Sequence, residues 1–130
     1  VKIIHGDIFN IPFNKNKFNI IFNLGVMEHF TEPQIKQILS EFKRTLKDHG
    51  IIILFWPPRY GLSVKFLKML KKMIYFFLKK NIVFHPDEIT LIKSKKHAET
   101  ILKNSGFKIV ESYFGIRDFF THEIIVARKN

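Results

Sequence analysis

An α/β layered domain is predicted by three features of this 130-residue sequence. Short apolar runs rich in β-branched residues recur along it and favour strands. The stretches between them carry apolar residues at helical spacing and end in residues that cap or stop helices. The final two runs are separated only by a loop, so an antiparallel pair is natural there. Strands alternating with helices imply helices layered on a sheet.

Residues 1–4 are a short apolar run ending at His5-Gly6-Asp7 and read as the tail of a buried strand. Residues 8–17 read as a loop, broken by Pro12 and by the polar run Asn14-Lys15-Asn16-Lys17. Residues 18–22 are apolar apart from Asn19 and predict a strand that hands over to a loop at Asn23-Leu24-Gly25. The clearest helix comes next. Thr31 can cap it, Gln34 sits three residues on, Pro33 lies in the first turn, and Ile35, Ile38, Leu39, Phe42 and Leu46 form one stripe. Gly50 is its expected stop, with Lys47 and His49 in the last turn. Residues 51–56 are an almost unbroken apolar run, suited to a central strand and stopped by Pro57-Pro58.

Residues 62–80 predict a second amphipathic helix, with Lys65, Lys68, Lys72 and Lys79 on one side and Phe66, Leu70, Met73, Ile74 and Phe77 on the other. Residues 81–93 are mixed, with Pro86 as a breaker. Ser94 caps a third helix through Asn104, burying Ala98, Ile101 and Leu102, with Gly106 as its stop. Residues 108–113 and 123–128 are the two closing strands. No internal repeat or linker divides the chain, so one domain is expected over residues 1–130.

Composition bounds the function. Hydrophobic residues at 46% and charged residues at 25% describe a globular chain rather than a disordered one. With no cysteine there is neither a disulfide framework nor a thiolate metal site. No apolar run is long enough to span a bilayer and the start does not read as a signal peptide, so a cytoplasmic location is expected. The net charge of +11 points to nucleic acid or an anionic membrane surface, or reflects heavy use of Lys, Ile, Asn and Phe without functional meaning.

Three segments carry a family resemblance. They are Gly6-Asp7-Ile8 with Ile11-Pro12-Phe13, then the run from Phe18 through Asn23-Leu24-Gly25 to Glu28-His29-Phe30, and finally Leu46-Lys47-Asp48-His49-Gly50 leading into Ile51-Ile52-Ile53. In content and spacing they resemble the third strand, the fourth strand with its loop, and the turn into the fifth strand of class I S-adenosylmethionine-dependent methyltransferases. Ser94 to Phe107 is similar to the helix before the family's sixth strand. The resemblance implies a Rossmann-like class I methyltransferase fold in part: strands three to seven with intervening helices and a terminal antiparallel pair. The family's strand order is 3-2-1-4-5-7-6.

The resemblance also implies the site. In open α/β sheets ligands bind beyond the carboxyl ends of the strands. Asp7 would accept a hydrogen bond from the adenine amino group of S-adenosyl-L-methionine, and Ile8 would cover the adenine face. Asn23, Leu24 and Gly25 would pass the methionine end, where Gly25 lets backbone approach a ligand closely. Glu28-His29 is similar to the Glu-His pair of small-molecule methyltransferases. A His beside a Glu suits general-base work, and equally suits a structural hydrogen bond beneath the cofactor. Gly25 stands where related metal-binding enzymes carry a further carboxylate, so no metal is expected.

The family's glycine-rich loop has no counterpart among Gly6, Gly25, Gly50, Gly61, Gly106 and Gly115. The chain is therefore expected to be the carboxy-terminal part of such a domain, with the remainder of that domain as its partner. Residues 59–93 match the family least and are expected to form a lid over the acceptor, to pack on another subunit, or to lie on the domain as a surface helix. A small-molecule acceptor is the leading expectation. The alternatives are a methyltransferase acting on RNA or a membrane-associated lipid through the basic helix 62–80, and a truncated non-catalytic domain. The isolated 130-residue chain is expected to bind S-adenosylmethionine weakly at most, and calorimetric titration showing tight binding would contradict this.

Overall fold

The computed structural model describes residues 2–79, 88–116 and 119–130. Its elements run β1 (Phe18–Leu24), a 3-10 turn (Met27–His29), α1 (Glu32–Thr45), β2 (Leu46–Trp56), α2 (Leu62–Leu78), α3 (Lys95–Asn104), β3 (Phe107–Tyr113) and β4 (Glu123–Lys129). The four strands form one sheet in the order β1-β2-β4-β3. β1 and β2 are parallel, while β4 is antiparallel to both β2 and β3. That is the 4-5-7-6 half of the expected order, and the closing antiparallel pair is present.

The core lies on one face of the sheet. Ile52, Leu54 and Trp56 of β2 point into it beside Ile125 and Ala127 of β4. Ile35, Ile38, Leu39 and Phe42 of α1 and Ala98, Ile101 and Leu102 of α3 cover them. The stripes predicted for both helices are the buried stripes. Gln34 Oε1 accepts from both the Thr31 backbone N–H (2.9 Å) and the Thr31 hydroxyl (2.8 Å), which starts α1. The Ser94 hydroxyl accepts from His97 N–H at 3.2 Å and starts α3.

The opposite face is different. Ile20, Phe22 and Leu24 of β1 are each more than half exposed. Among the described residues β1 is also an edge strand, on the side where the family's order places its first strand. An exposed edge with apolar side chains favours pairing with other chains.

Two expectations about element boundaries are corrected. Residues 2–6 have no regular secondary structure, and Ile3 and Ile4 are exposed at 93% and 44%; residue 1 lies outside the described residues. A strand needs a neighbour to take its backbone hydrogen bonds, and the family's order puts two other strands between this segment and β1. Helix α1, in turn, stops at Thr45 rather than at Gly50. Asn16 and Lys17 donate backbone hydrogen bonds to the Arg44 and Thr45 carbonyls (3.0 and 2.7 Å), and Leu46 already pairs with Phe18. The register then jumps to Ile20 opposite Ile51, so residues 47–50 bulge out of the ladder, with His49 at φ 61°. Gly50 is required by packing: a Cβ there would lie 2.9 Å from both Leu46 Cδ2 and the Lys47 carbonyl oxygen.

The two faces predict opposite mutational behaviour. Leu54→Ala should cost about 3 kcal/mol through the cavity it leaves, whereas Ile20→Ser should change stability by less than about 0.5 kcal/mol. Urea unfolding of this chain measures both, and equal costs would mean that the outer face is covered in solution.

Candidate active site

The carboxyl ends of β1 and β2 lie side by side because the strands are parallel, and the segments that leave them build a polar rim. Asn23, near the end of β1, points to the buried side and pairs in register with Leu54. Gly25 comes next with φ +63°, and its N–H donates to the Phe55 carbonyl at 3.1 Å. This left-handed turn sends the chain into the 3-10 turn that carries Glu28 and His29. A Cβ on Gly25 would sit 3.4 Å from Glu28 Oε1.

Asn23 and Glu28 are each only 6% exposed. Asn23 Oδ1 and Glu28 Oε2 find no hydrogen-bond partner among the described residues. A buried polar atom left unpaired costs about 1–3 kcal/mol, so these two oxygens are open to a donor from another group. Glu28 Oε1 lies 3.8 Å from His29 Nε2, whose side chain is 32% exposed. Burial pushes the Glu28 carboxyl above the usual carboxylate range, opposed in smaller measure by its own backbone N–H and by His29 and His122.

The Glu28 backbone has a structural task as well. Its carbonyl accepts from Ile89 N–H (2.6 Å) and Thr90 N–H (3.0 Å). The Trp56 indole N–H donates to the Thr90 carbonyl at 2.8 Å. Arg59 N–H donates to the Ile92 carbonyl (2.9 Å), and Ile92 N–H donates to the Pro57 carbonyl (3.2 Å). The segment leading into α3 is thus tied across the ends of β2 and the 3-10 turn.

Asp7 and Ile8 stand on a separate loop. Asp7 Oδ1 accepts from Phe9 N–H at 2.9 Å, and the Asp7 carbonyl accepts from Asn10 N–H at 3.1 Å, closing a tight turn. Ile8 is half-buried against the core. The loop is clamped to α1: Arg44 donates to the carbonyls of Phe13 (2.7 Å) and Ile11 (2.9 Å) while pairing with Glu41, whose Oε2 accepts from Ile11 N–H. Phe9 packs edge-on to Phe30, 5.4 Å between centroids, joining the Asp7 turn to the Glu28-His29 segment. Asn23, Gly25, Glu28 and His29 are therefore one cluster. Asp7 and Ile8 neighbour it through that ring pair, and Leu24 points to the exposed face.

Three rim residues escape sequence reading. His122 lies near enough to Glu28 to affect its ionisation, and its ring stacks edge-on to Phe55 at 6.3 Å. Glu123 is 3% exposed at the start of β4, accepting from Tyr60 Oη and Ser112 Oγ, each at 3.0 Å. Burial, then the Glu123 charge and hydrogen bond, push the Tyr60 phenol up to about 12. A Glu heading an apolar strand reads as a solvated strand end, and Tyr60 meets it only because β4 inserts beside β2.

Known proteins share this fold. Residues 1–54 match the family model described as a methyltransferase domain. Among solved structures, an S-adenosylmethionine-dependent methyltransferase from Methanosarcina mazei superimposes with a TM-score of 0.68 at 14% identity, covering 95% of this chain and 65% of that one. A possible histamine N-methyltransferase from Thermotoga maritima gives 0.66 at 16% identity, covering 100% and 65%. Magnesium protoporphyrin IX methyltransferase from Synechocystis, solved with bound S-adenosylhomocysteine, gives 0.61 at 18% identity, covering 96% and 49%. No curated protein matches the chain as a sequence relative. The chain has the Rossmann-like class I methyltransferase fold. It spans about two thirds or less of the length of these structures.

The raised Glu28 pKa has a definite sign. Between the unfolded and folded values the folded chain holds a proton that the unfolded chain has shed, so this residue's contribution falls as pH rises through that interval. Glu28→Gln should therefore raise Tm at pH 7, with the gain shrinking towards acid pH. A gain independent of pH in calorimetric scans would assign it to something other than ionisation.

Proposed function

We propose that this protein transfers the methyl group of S-adenosyl-L-methionine to a small-molecule acceptor, at the carboxyl ends of β1 and β2. The observation that carries the reading is the pair of buried, unpartnered acceptors, Asn23 Oδ1 and Glu28 Oε2, beside the left-handed Gly25. Two acceptors at one rim suit the ammonium of the cofactor's methionine end, so the residues present fit the group. Bound there, the cofactor supplies an electrophilic methyl group with its own leaving group.

The chain's residues then have distinct tasks. Asn23 and Glu28 hold the methionine end, with Leu24 and Gly25 as the backbone beside it. Asp7 holds the adenine amino group and Ile8 walls one ring face, on a loop kept in place by the Arg44 clamp. His29, more exposed than Glu28, faces the acceptor side and takes a proton where the acceptor must lose one. Such transfer depends mainly on proximity and alignment, which a rim fixed by backbone hydrogen bonds supplies. Of the expected lid, residues 59–79 and 88–93 are tied down at Arg59 and Ile92 beside the acceptor side; residues 80–87 lie outside the described residues. The exposed apolar side of α2 favours a second reading, in which the acceptor is a membrane-associated lipid.

The test uses full-length protein with S-adenosylhomocysteine in calorimetry and labelled S-adenosylmethionine against small phenols, amines and carboxylic acids. Asn23→Ala should weaken S-adenosylhomocysteine binding about tenfold, the loss of one good hydrogen bond, and Asp7→Ala should weaken it comparably. His29→Ala should lower kcat and leave that Kd unchanged. Absence of S-adenosylhomocysteine binding to the full-length protein would end this reading.

A further inference from the structure

Helix α2 does not use its apolar side as a globular helix does. Val64 is buried, and Leu67 and Ile74 are half-buried on the same side. Leu62, Phe66, Met69, Met73, Phe76 and Phe77 instead form a separate outward stripe, each between 48% and 73% exposed. The residue pattern alone put Phe66, Met73 and Phe77 on a face that packs or lines a pocket; here they face out. At helical spacing the sector next to this stripe is filled by Lys65, Lys68, Lys72 and Lys79, all exposed. Tyr75, half-exposed, lies beside those lysines. The helix contains no acidic residue. Among the described residues α2 makes no extended packing against any other helix or strand.

We propose that α2 is an interfacial helix that docks this protein onto an anionic lipid surface. Charge complementarity selects the occupant. The chain carries +11, and a second copy would bring its own lysine row against this one. Nucleic acid would satisfy the lysines and leave the apolar stripe in water. An anionic bilayer satisfies both: the stripe enters the boundary between headgroups and acyl chains, the lysines reach the lipid phosphates, and the tyrosine sits at the interface. The 17-residue helix lies along the surface, for none of the described helices is long and apolar enough to cross a membrane.

The docking has a consequence for the rim. α2 starts where the chain leaves Pro57-Pro58 at the carboxyl end of β2, and Leu62 N–H is held by the Phe120 carbonyl at 2.8 Å. A lipid surface along α2 therefore lies beside the mouth of the candidate site, within reach of an acceptor dissolved in the membrane. Docking itself does not rest on methyl transfer and is read without any turnover.

The experiment is vesicle co-sedimentation of the full-length protein. Equimolar phosphatidylglycerol and phosphatidylcholine vesicles are compared with pure phosphatidylcholine, at low and high salt. Binding is expected to the anionic vesicles and to weaken with salt. Lys68→Gln with Lys72→Gln should weaken it about thirtyfold, from the usual contribution of two lysines near an anionic surface. Phe76→Ser with Phe77→Ser should weaken it at both salt concentrations. These side chains are exposed, so the unfolding midpoint of each variant should stay at the parental value, which separates lost docking from lost folding. Vesicle binding untouched by either variant would overturn the proposal. So would binding to single-stranded RNA without vesicle binding, or a concentration-dependent dimer that Phe76→Ser with Phe77→Ser abolishes while vesicles are ignored.

Discussion

Strand β2 is the constraint on which the rest of the structure depends. It lies between a parallel neighbour and an antiparallel one, so its backbone groups are paired on both edges and its side chains are committed to two faces. Ile52, Leu54 and Trp56 face the core, and α1 and α3 are placed by burying them. Because β1 runs parallel to β2, both strands release their chains at the same end. The two prolines after Trp56 stop the ladder there, since proline has no N–H to continue it. The site is thus a consequence of strand direction before it is a consequence of any side chain.

At that end the fold accepts unfavourable local terms. Asn23 and Glu28 are buried without full hydrogen bonding, although neighbouring backbone groups are closely paired. The Glu28 carbonyl, the Trp56 indole and the Pro57 carbonyl hold the returning segment, so the 3-10 turn cannot relax to solvate the carboxylate. Rigid backbone with unsatisfied side-chain oxygens is the pattern of a preformed polar site. The Tyr60–Glu123–Ser112 group on the same side is internally satisfied and steadies the junction of β2 and β4.

Among the described residues, the outer face of β1 and the outer stripe of α2 each present a row of exposed apolar side chains. They differ chemically. The β1 surface is part of a sheet whose layered architecture calls for helices on both faces. The α2 stripe is bordered by lysines and belongs to a helix with no acidic residue, which suits a charged surface rather than a protein layer.

Wherever neighbours in sequence carry the signal, the sequence alone determined the structure. Thr31 with Gln34, Ser94 with His97, the β-branched strands and the buried stripes of α1 and α3 depend on spacing within a few residues, and all are present in the fold. The family resemblance of the first 54 residues likewise rests on motifs in order along the chain. Tertiary structure decided what depends on partners far away. Residues 2–6 form no strand despite their apolar character, because no neighbouring strand takes their hydrogen bonds. α1 ends before Gly50, because Asn16 and Lys17 claim its last carbonyls and Leu46 is drawn into the sheet. The sequence resemblance named Asn23, Gly25 and Glu28-His29, but only burial singled out Asn23 Oδ1 and Glu28 Oε2 as unpaired. His122, Glu123 and Tyr60 join the rim through the insertion of β4 beside β2, a pairing of segments some 70 residues apart that no local pattern encodes.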